Sequence, residues 1–373
     1  MGELTWRIGF EVELLAPEGS DRLTLAGRIA ADCNGRVERS FHTDSEPSPV
    51  PGVGLFRHLS PAFQVTDVTG APVVRLVDDV TIRADLAGST ARGHRGWYRV
   101  LVDDGRLLRL VERHADPSAP LATVLEPVAE LFGVDVEAAP GSARVNDAAG
   151  ATVAVALPLP PGRERPCELV TPPLVSRHTE ALGRLLAPAR ELGFTVPHEA
   201  AVHLHLDAGP FRRPAAFTNV VRLFGWWREQ LWAALGTNPA CRRLGPVPSA
   251  LLDLVERAPD APPQEWAALA EEARAVGLTK FADVNLTQVV ATHPVRDTLE
   301  VRILPGSIEE DAIVRGAALI EALLRRCLDD RPIPRPDADG GSDARSALLN
   351  LADVSERRPY SDRSWWSQGD SNP

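Results

Sequence analysis

Three pairs of ionisable residues, each spaced two apart, constrain this chain more than any other feature of its sequence. They are Glu11/Glu13 in Gly9-Phe10-Glu11-Val12-Glu13, His203/His205 in His203-Leu204-His205-Leu206-Asp207, and Glu300/Arg302 in Thr298-Leu299-Glu300-Val301-Arg302. On a β-strand, residues two apart point to the same face. Three such strands in one sheet would give it an apolar face fit for a core and an opposite face of carboxylates and imidazoles. A fourth segment, Cys167-Glu168-Leu169-Val170-Thr171-Pro172-Pro173, adds a glutamate just before a strand end fixed by prolines. Charges of this kind avoid a buried surface unless something compensates them. Divalent cations are the usual compensation, and hard ions such as magnesium prefer carboxylate oxygens and substrate phosphates.

Each segment has a blander reading when taken alone. Glu11 and Glu13 fit a solvated strand face, Glu168 an edge strand before a turn, and Glu300 with Arg302 a surface salt bridge. The two histidines on one face suit metal ligation or hydrogen bonds to phosphate, and zinc hydrolases carry such a pair too. An arginine beside metal-binding carboxylates makes sense when the ligand carries phosphate, which guanidinium binds in a forked geometry. Lys280 and Asn285 precede this strand and can face the same pocket, and Lys280 is the chain's only lysine. Asp78 and Asp79 can cap a turn, or bind an incoming ammonium group and take its proton.

Composition narrows the classes. The chain has 373 residues, enough for one large domain or two ordinary ones. Its formal net charge of −11 speaks against a nucleic-acid backbone as partner. Four cysteines without C-x-x-C spacing give little support for a zinc site or a disulfide framework. No phosphate-binding glycine loop, nucleophile elbow or H-E-x-x-H motif is present. With no signal-peptide pattern and no apolar run of membrane-spanning length, a soluble cytoplasmic protein without a membrane partner is expected.

The pattern predicts strands over residues 4–15, 63–68, 73–76 and 81–85, and helices over 21–31, 120–132, 176–192, 214–235, 248–256, 263–276 and 307–328. Two hairpins are expected, one turning at Asp103-Asp104-Gly105 and one between residues 143–146 and 152–157. Further strands are expected at 201–206, 283–286 and 297–304, with a loop over 46–54. Strands joined by turns early and by helices later indicate α+β with a mainly antiparallel sheet. Residues 331–373 read as a polar, poorly ordered tail with a short helix near 344–351.

These segments, with Val284-Asn285-Leu286, occur in the order found in the amidoligase family, related to glutamine synthetase and glutamate–cysteine ligase, which the chain resembles over residues 6–325. The resemblance implies a curved antiparallel sheet with helices on its outer face and one catalytic domain over residues 1–330. Residues 88–141 match nothing in it and are a possible insertion. It implies an ATP-dependent carboxylate–amine ligase that forms an amide through an acyl phosphate, with magnesium, or else manganese. Glu11, Glu13, Glu168, His203 and Glu300 would hold the metal. Arg302, Asp79 and Lys280 would serve the chemistry, with Asp79 receiving the amine. His205, Asn285 and Arg302 would hold the nucleotide. The acid and amine would be small molecules or peptides, in a chain free to oligomerise. A metal-dependent hydrolase built on the histidine pair, or a non-catalytic binding protein, are the alternatives.

Overall fold

The computed structural model describes residues 4–47, 55–90, 96–102, 104–241, 243–257, 265–336 and 343–353. Its centre is β1 (Ile8–Leu15), in which all eight residues are buried. Ile8, Phe10, Val12 and Leu14 enter one apolar core, while Glu11 and Glu13 take the other face. The period-2 pattern is what allows one strand to serve both surfaces. β1 lies between β9 (Pro166–Val170) and β10 (Ala201–Asp207), both antiparallel to it. β12 (Thr298–Pro305) pairs with β10, and the two-residue β11 (Val284–Asn285) closes that side.

On the other side of β9 the sheet continues through β4 (Pro72–Val77) and β3 (Leu55–Thr66), with β2 (Arg36–Pro47) along β3. It then extends through β5 (Tyr98–Val102), β8 (Thr152–Pro158), β7 (Ser142–Asn146) and β6 (Glu137–Ala139). Twelve strands among the described residues therefore form one open sheet, and every pairing in it is antiparallel. This agrees with the α+β class read from the sequence.

Helices cover the apolar face. Those packed there include α1 (Arg22–Asp32), α4 (His178–Glu191), α5 (Pro214–Trp226), α6 (Arg228–Leu235), α7 (Ser249–Glu256), α8 (Trp266–Ala275) and α9 (Glu310–Cys327). Leu25, Leu182, Val220, Leu231 and Ile320 share one buried core with Phe10, Leu204 and Val301 of the sheet. Asp21 caps α1, accepting from the Thr24 N–H at 2.8 Å. A second, smaller core lies over β5, β7 and β8, covered by α2 (Gly105–His114) and α3 (Glu126–Phe132). α10 (Ala344–Asp353) packs on α6 and α9, with Leu348 fully buried. No helix among the described residues is long and apolar enough to cross a membrane.

Four expectations are corrected. The hairpin at Asp103-Asp104-Gly105 is instead a strand followed by a helix. Asp104 accepts from the Arg106 N–H as an N-cap, and Leu107, Leu108 and Val111 follow at helical spacing into the second core; Asp103 lies outside the described residues. Residues 81–85 form a turn and a short 3-10 segment, because the buried Arg163 guanidinium gathers the Asp78 carboxylate and the Asp79 and Ile82 carbonyls around itself. The helix expected over 214–235 breaks at Trp227, whose φ of −97° and ψ of 14° end α5 and open α6. Of the helix expected over 120–132 only Glu126–Phe132 is α-helical. The loop expected over 46–54 lies outside the described residues from 48 onward, as do 337–342 and 354–373 of the tail.

The buried position of Leu348 yields a prediction. Leu348→Ala should lower unfolding free energy by about 2–5 kcal/mol through lost burial and a residual cavity. Urea unfolding checks this, and an unchanged midpoint would show that α10 does not dock in solution.

Candidate functional site

Register puts the charged pairs side by side. Glu11 lies opposite His203, Glu13 opposite Glu168, His205 opposite Glu300, and Glu300 opposite Asn285. Four neighbouring strands, β9, β1, β10 and β12, thus project their ionisable residues from one face of the sheet, and β11 adds Asn285. β12 carries one extra residue between Val301 and Leu304, opposite the Val202 to Leu204 stretch of β10. Such a bulge re-aims the side chains around it, and here it sits at Arg302, which turns toward Glu300.

Glu11 is the common member of this set. Its Oε2 is 3.2 Å from His203 Nδ1, and its Oε1 is 3.1 Å from His205 Nε2 and 2.9 Å from Arg296 Nη1. His203 Nε2 lies 3.4 Å from Glu13 Oε1, so this ring spans the two β1 glutamates. Glu300 pairs with Arg302 and accepts from Asn285 Nδ2 at 2.7 Å. Glu13 Oε2 accepts from the Ala201 N–H at 2.7 Å. Two donor trios have ligand atoms within 4.8 Å of one another: Glu11, His205 and Glu300, and Glu11, Glu168 and His203. Glu13 stands outside both, with one oxygen committed to the backbone.

Burial opposes every charge in the set, and the neighbours decide which groups keep theirs. Burial drives the Glu13 carboxyl well above the usual carboxylate range, with Asp79 adding to it. Glu168 is driven the same way by burial and by Glu11. On Glu11 burial is outweighed by His205, His203 and Arg296, which hold it well below that range. On Glu300 it is outweighed by Arg302, leaving the carboxyl at about 2. His203 is pushed down by burial and Arg302, whereas Glu11 lifts His205 against burial. Two glutamates forced toward their neutral form, beside two that are ionised, describe a face short of positive charge. The carboxylate oxygens among them are donors that magnesium or manganese would take.

The walls of the cavity come from elsewhere. The turn after β4 brings Asp78, Asp79 and Thr81; Asp78 is held by Arg163 at 2.5 Å, and Asp79 accepts from the Thr81 N–H at 2.9 Å and its hydroxyl at 2.7 Å. β2 contributes His42, Thr43 and Asp44, while loops contribute Arg243, Lys280 and Arg296. Lys280 lines the cavity with Glu11, Glu13, Asp79, Glu168, His203, His205, Glu300 and Arg302, and Asn285 reaches it through Glu300. The structure thus brings all the sequence-derived candidates to one place. Sequence reading missed His42, Asp44, Arg243 and Arg296. His42 and Asp44 do share the i, i+2 spacing, the one signal that could have found them.

The donor set predicts a cation-dependent stability. Mn2+ or Mg2+ should raise the thermal midpoint, by the equivalent of about 2.7 kcal/mol at a hundredfold excess over Kd, and Glu11→Gln should remove most of the shift. A wild-type midpoint indifferent to both ions, measured by calorimetry, would rule the donor reading out.

A family model described as "putative amidoligase enzyme" matches residues 4–324. A search of curated proteins gives no match.

Proposed function

The chain belongs to the amidoligase family, and on that premise we propose that it joins a carboxylate to an amine in an ATP-dependent reaction passing through an acyl phosphate. The supporting observation is Glu11, shared by two donor trios and flanked by Arg296 and by the Glu300–Arg302 pair. When bound, ATP supplies the phosphoryl group that activates the acid, and magnesium or manganese ions offset the negative charge gathered in that transfer.

The chain's own residues do the positioning. Glu11, His205 and Glu300 would hold one ion, and Glu11, Glu168 and His203 another. Asn285 fixes the Glu300 carboxylate by its 2.7 Å bond, and Glu13 orients His203 from its other ring nitrogen. Arg302 and Arg296 offer guanidinium donors where phosphoryl oxygens carry charge. The amine nitrogen then bonds to the acyl carbon, the bond from that carbon to the phosphate oxygen breaks, and phosphate departs with the electron pair. The proton lost from the amine goes to Asp79, whose orientation is set by the two Thr81 bonds. The partners are an acid and an amine, each a small molecule or a peptide.

A hydrolase using His203 and His205 would need the metal donors alone. It gives no role to Arg296 or Arg302, and each of these meets a carboxylate of the donor set.

Magnesium-dependent phosphate release from ATP should be stimulated by a suitable acid and amine together. Glu168→Gln should abolish it with the fold intact, and Arg302→Ala should lower kcat about 100-fold or more with a far smaller change in the unfolding midpoint. Nucleotide-independent turnover, or equal loss of rate and stability in the arginine variant, would overturn the ligase reading.

A further inference from the structure

The bulge in β12 leaves Arg302 without support from one neighbouring strand. Arg302 and Ile303 have no register partner on β10, so that ladder does not fix them. Their backbone is held from the other side. The Arg302 N–H donates to the Asp283 carbonyl at 3.0 Å, and the Ile303 carbonyl accepts from the Thr237 hydroxyl at 2.7 Å. Both supports lead back to α6. Asp283 is almost completely buried, and one of its carboxyl oxygens accepts from Arg228 Nε and from Trp232 Nε1, each at 2.7 Å. The Arg228 guanidinium lies 4.0 Å from the Trp232 ring centroid. The Asp283 N–H is held as well, by the Gly245 carbonyl at 2.8 Å. Thr237 follows Gly236, whose φ of 69° ends α6 in the left-handed region, and the Thr237 N–H donates to the Trp232 carbonyl at 3.0 Å. Trp232 thus meets both supports. Neither Asp283 nor Thr237 lines the cavity.

We propose that Asp283 and Thr237 are positioning residues for Arg302: they hold the bulge from behind and so aim its guanidinium past Glu300 into the cavity. The proposal rests on the ligase reading and adds a requirement to it. Arg302 pairs with Glu300, while its buried Nε has no hydrogen-bond partner among the described residues. A guanidinium with a donor left over serves a phosphoryl oxygen only where that donor is held in place. The metal-type donors do not need this brace. Glu11, Glu168, His203 and His205 stand on strands that pair with β1 in unbroken register or belong to it, and Glu300 lies on the regular side of the bulge, opposite His205 and Asn285. Burial raises the Asp283 carboxyl, and the Arg228 and Trp232 bonds oppose that. The brace uses the carboxyl only as an acceptor, which its oxygen provides in either form.

Thr237→Val, which keeps the shape and removes the hydroxyl, and Asp283→Ala test this, with Trp232→Phe in place of Asp283→Ala should that variant fold poorly. Each should lower kcat for magnesium-dependent ATP turnover about tenfold, short of the roughly hundredfold that a ~1 Å misplacement can cost. In an Arg302→Ala background the same changes should cost less than about twofold, because residues acting through Arg302 then have nothing to position. The Mn2+ shift in thermal midpoint should stay as in the wild type. Losses that multiply in the double variants, or a Mn2+ shift that falls in parallel with kcat, would make both residues merely structural and overturn the proposal. So would a wild-type rate in the single variants. Affinity for tripolyphosphate in the presence of magnesium, measured by calorimetry, repeats the comparison without turnover. If the wild type turns over no ATP but binds tripolyphosphate, with Arg302→Ala and Thr237→Val weakening it non-additively, the ligase reading falls and the positioning stands. If it does neither, both fall.

Discussion

Glu11 is the point at which the fold and the site constrain each other. It sits in the middle of a central strand, with His203, His205 and Arg296 all within about hydrogen-bonding reach. Its neighbours Phe10 and Val12 are fully buried on the opposite face. A shift of register by one residue would send the glutamates into the apolar core and the phenylalanine into the cavity. Packing of Phe10 and Val12 therefore fixes where the carboxylate points. The ionic set in turn depends on β9, β10 and β12 lying in register beside β1.

The ionic face is not what holds the protein together. Buried ion pairs repay their desolvation poorly, and here burial leaves Glu13 and Glu168 strained toward their neutral forms. Stability comes from the other face, where helices cover one continuous apolar layer. That layer also absorbs α10 beyond the residues that the family model matches. The second core around Tyr98, Leu108, Val128 and Ala156 is separate, so that lobe can be built onto the sheet edge without disturbing the register at Glu11.

Much of this was legible because strand periodicity is local. Glu11, Glu13, His203, His205, Glu300 and Arg302 announced themselves by alternation with apolar residues and Glu168 by its place before a strand end; register brings the glutamates and histidines together, and a bulge in β12 adds Arg302. Arg296 and Arg243 were not legible, since both arise from loops in a chain where arginine is abundant. Nothing in their neighbourhood marks one arginine as aimed at Glu11 and another as solvated. The misread hairpin at Asp104 has a similar origin: aspartate followed by glycine signals a turn, but also an N-cap, and only the tertiary fate of Leu108 and Val111 decides. The break at Trp227 could not be read from spacing at all, because the residues on both sides of it keep helical periodicity.

The cavity is therefore assembled from two kinds of parts. Its metal-type donors stand on paired strands, where packing on the reverse face fixes the backbone that carries them. The other wall residues stand on β2 and on loops, whose positions depend on a few bonds such as those joining Gly245, Asp283 and Arg302. Loops tolerate substitution that a central strand does not. In such an arrangement the donor set stays fixed by β1, β9, β10 and β12, while the walls around it can change through β2 and the loops without moving a single donor.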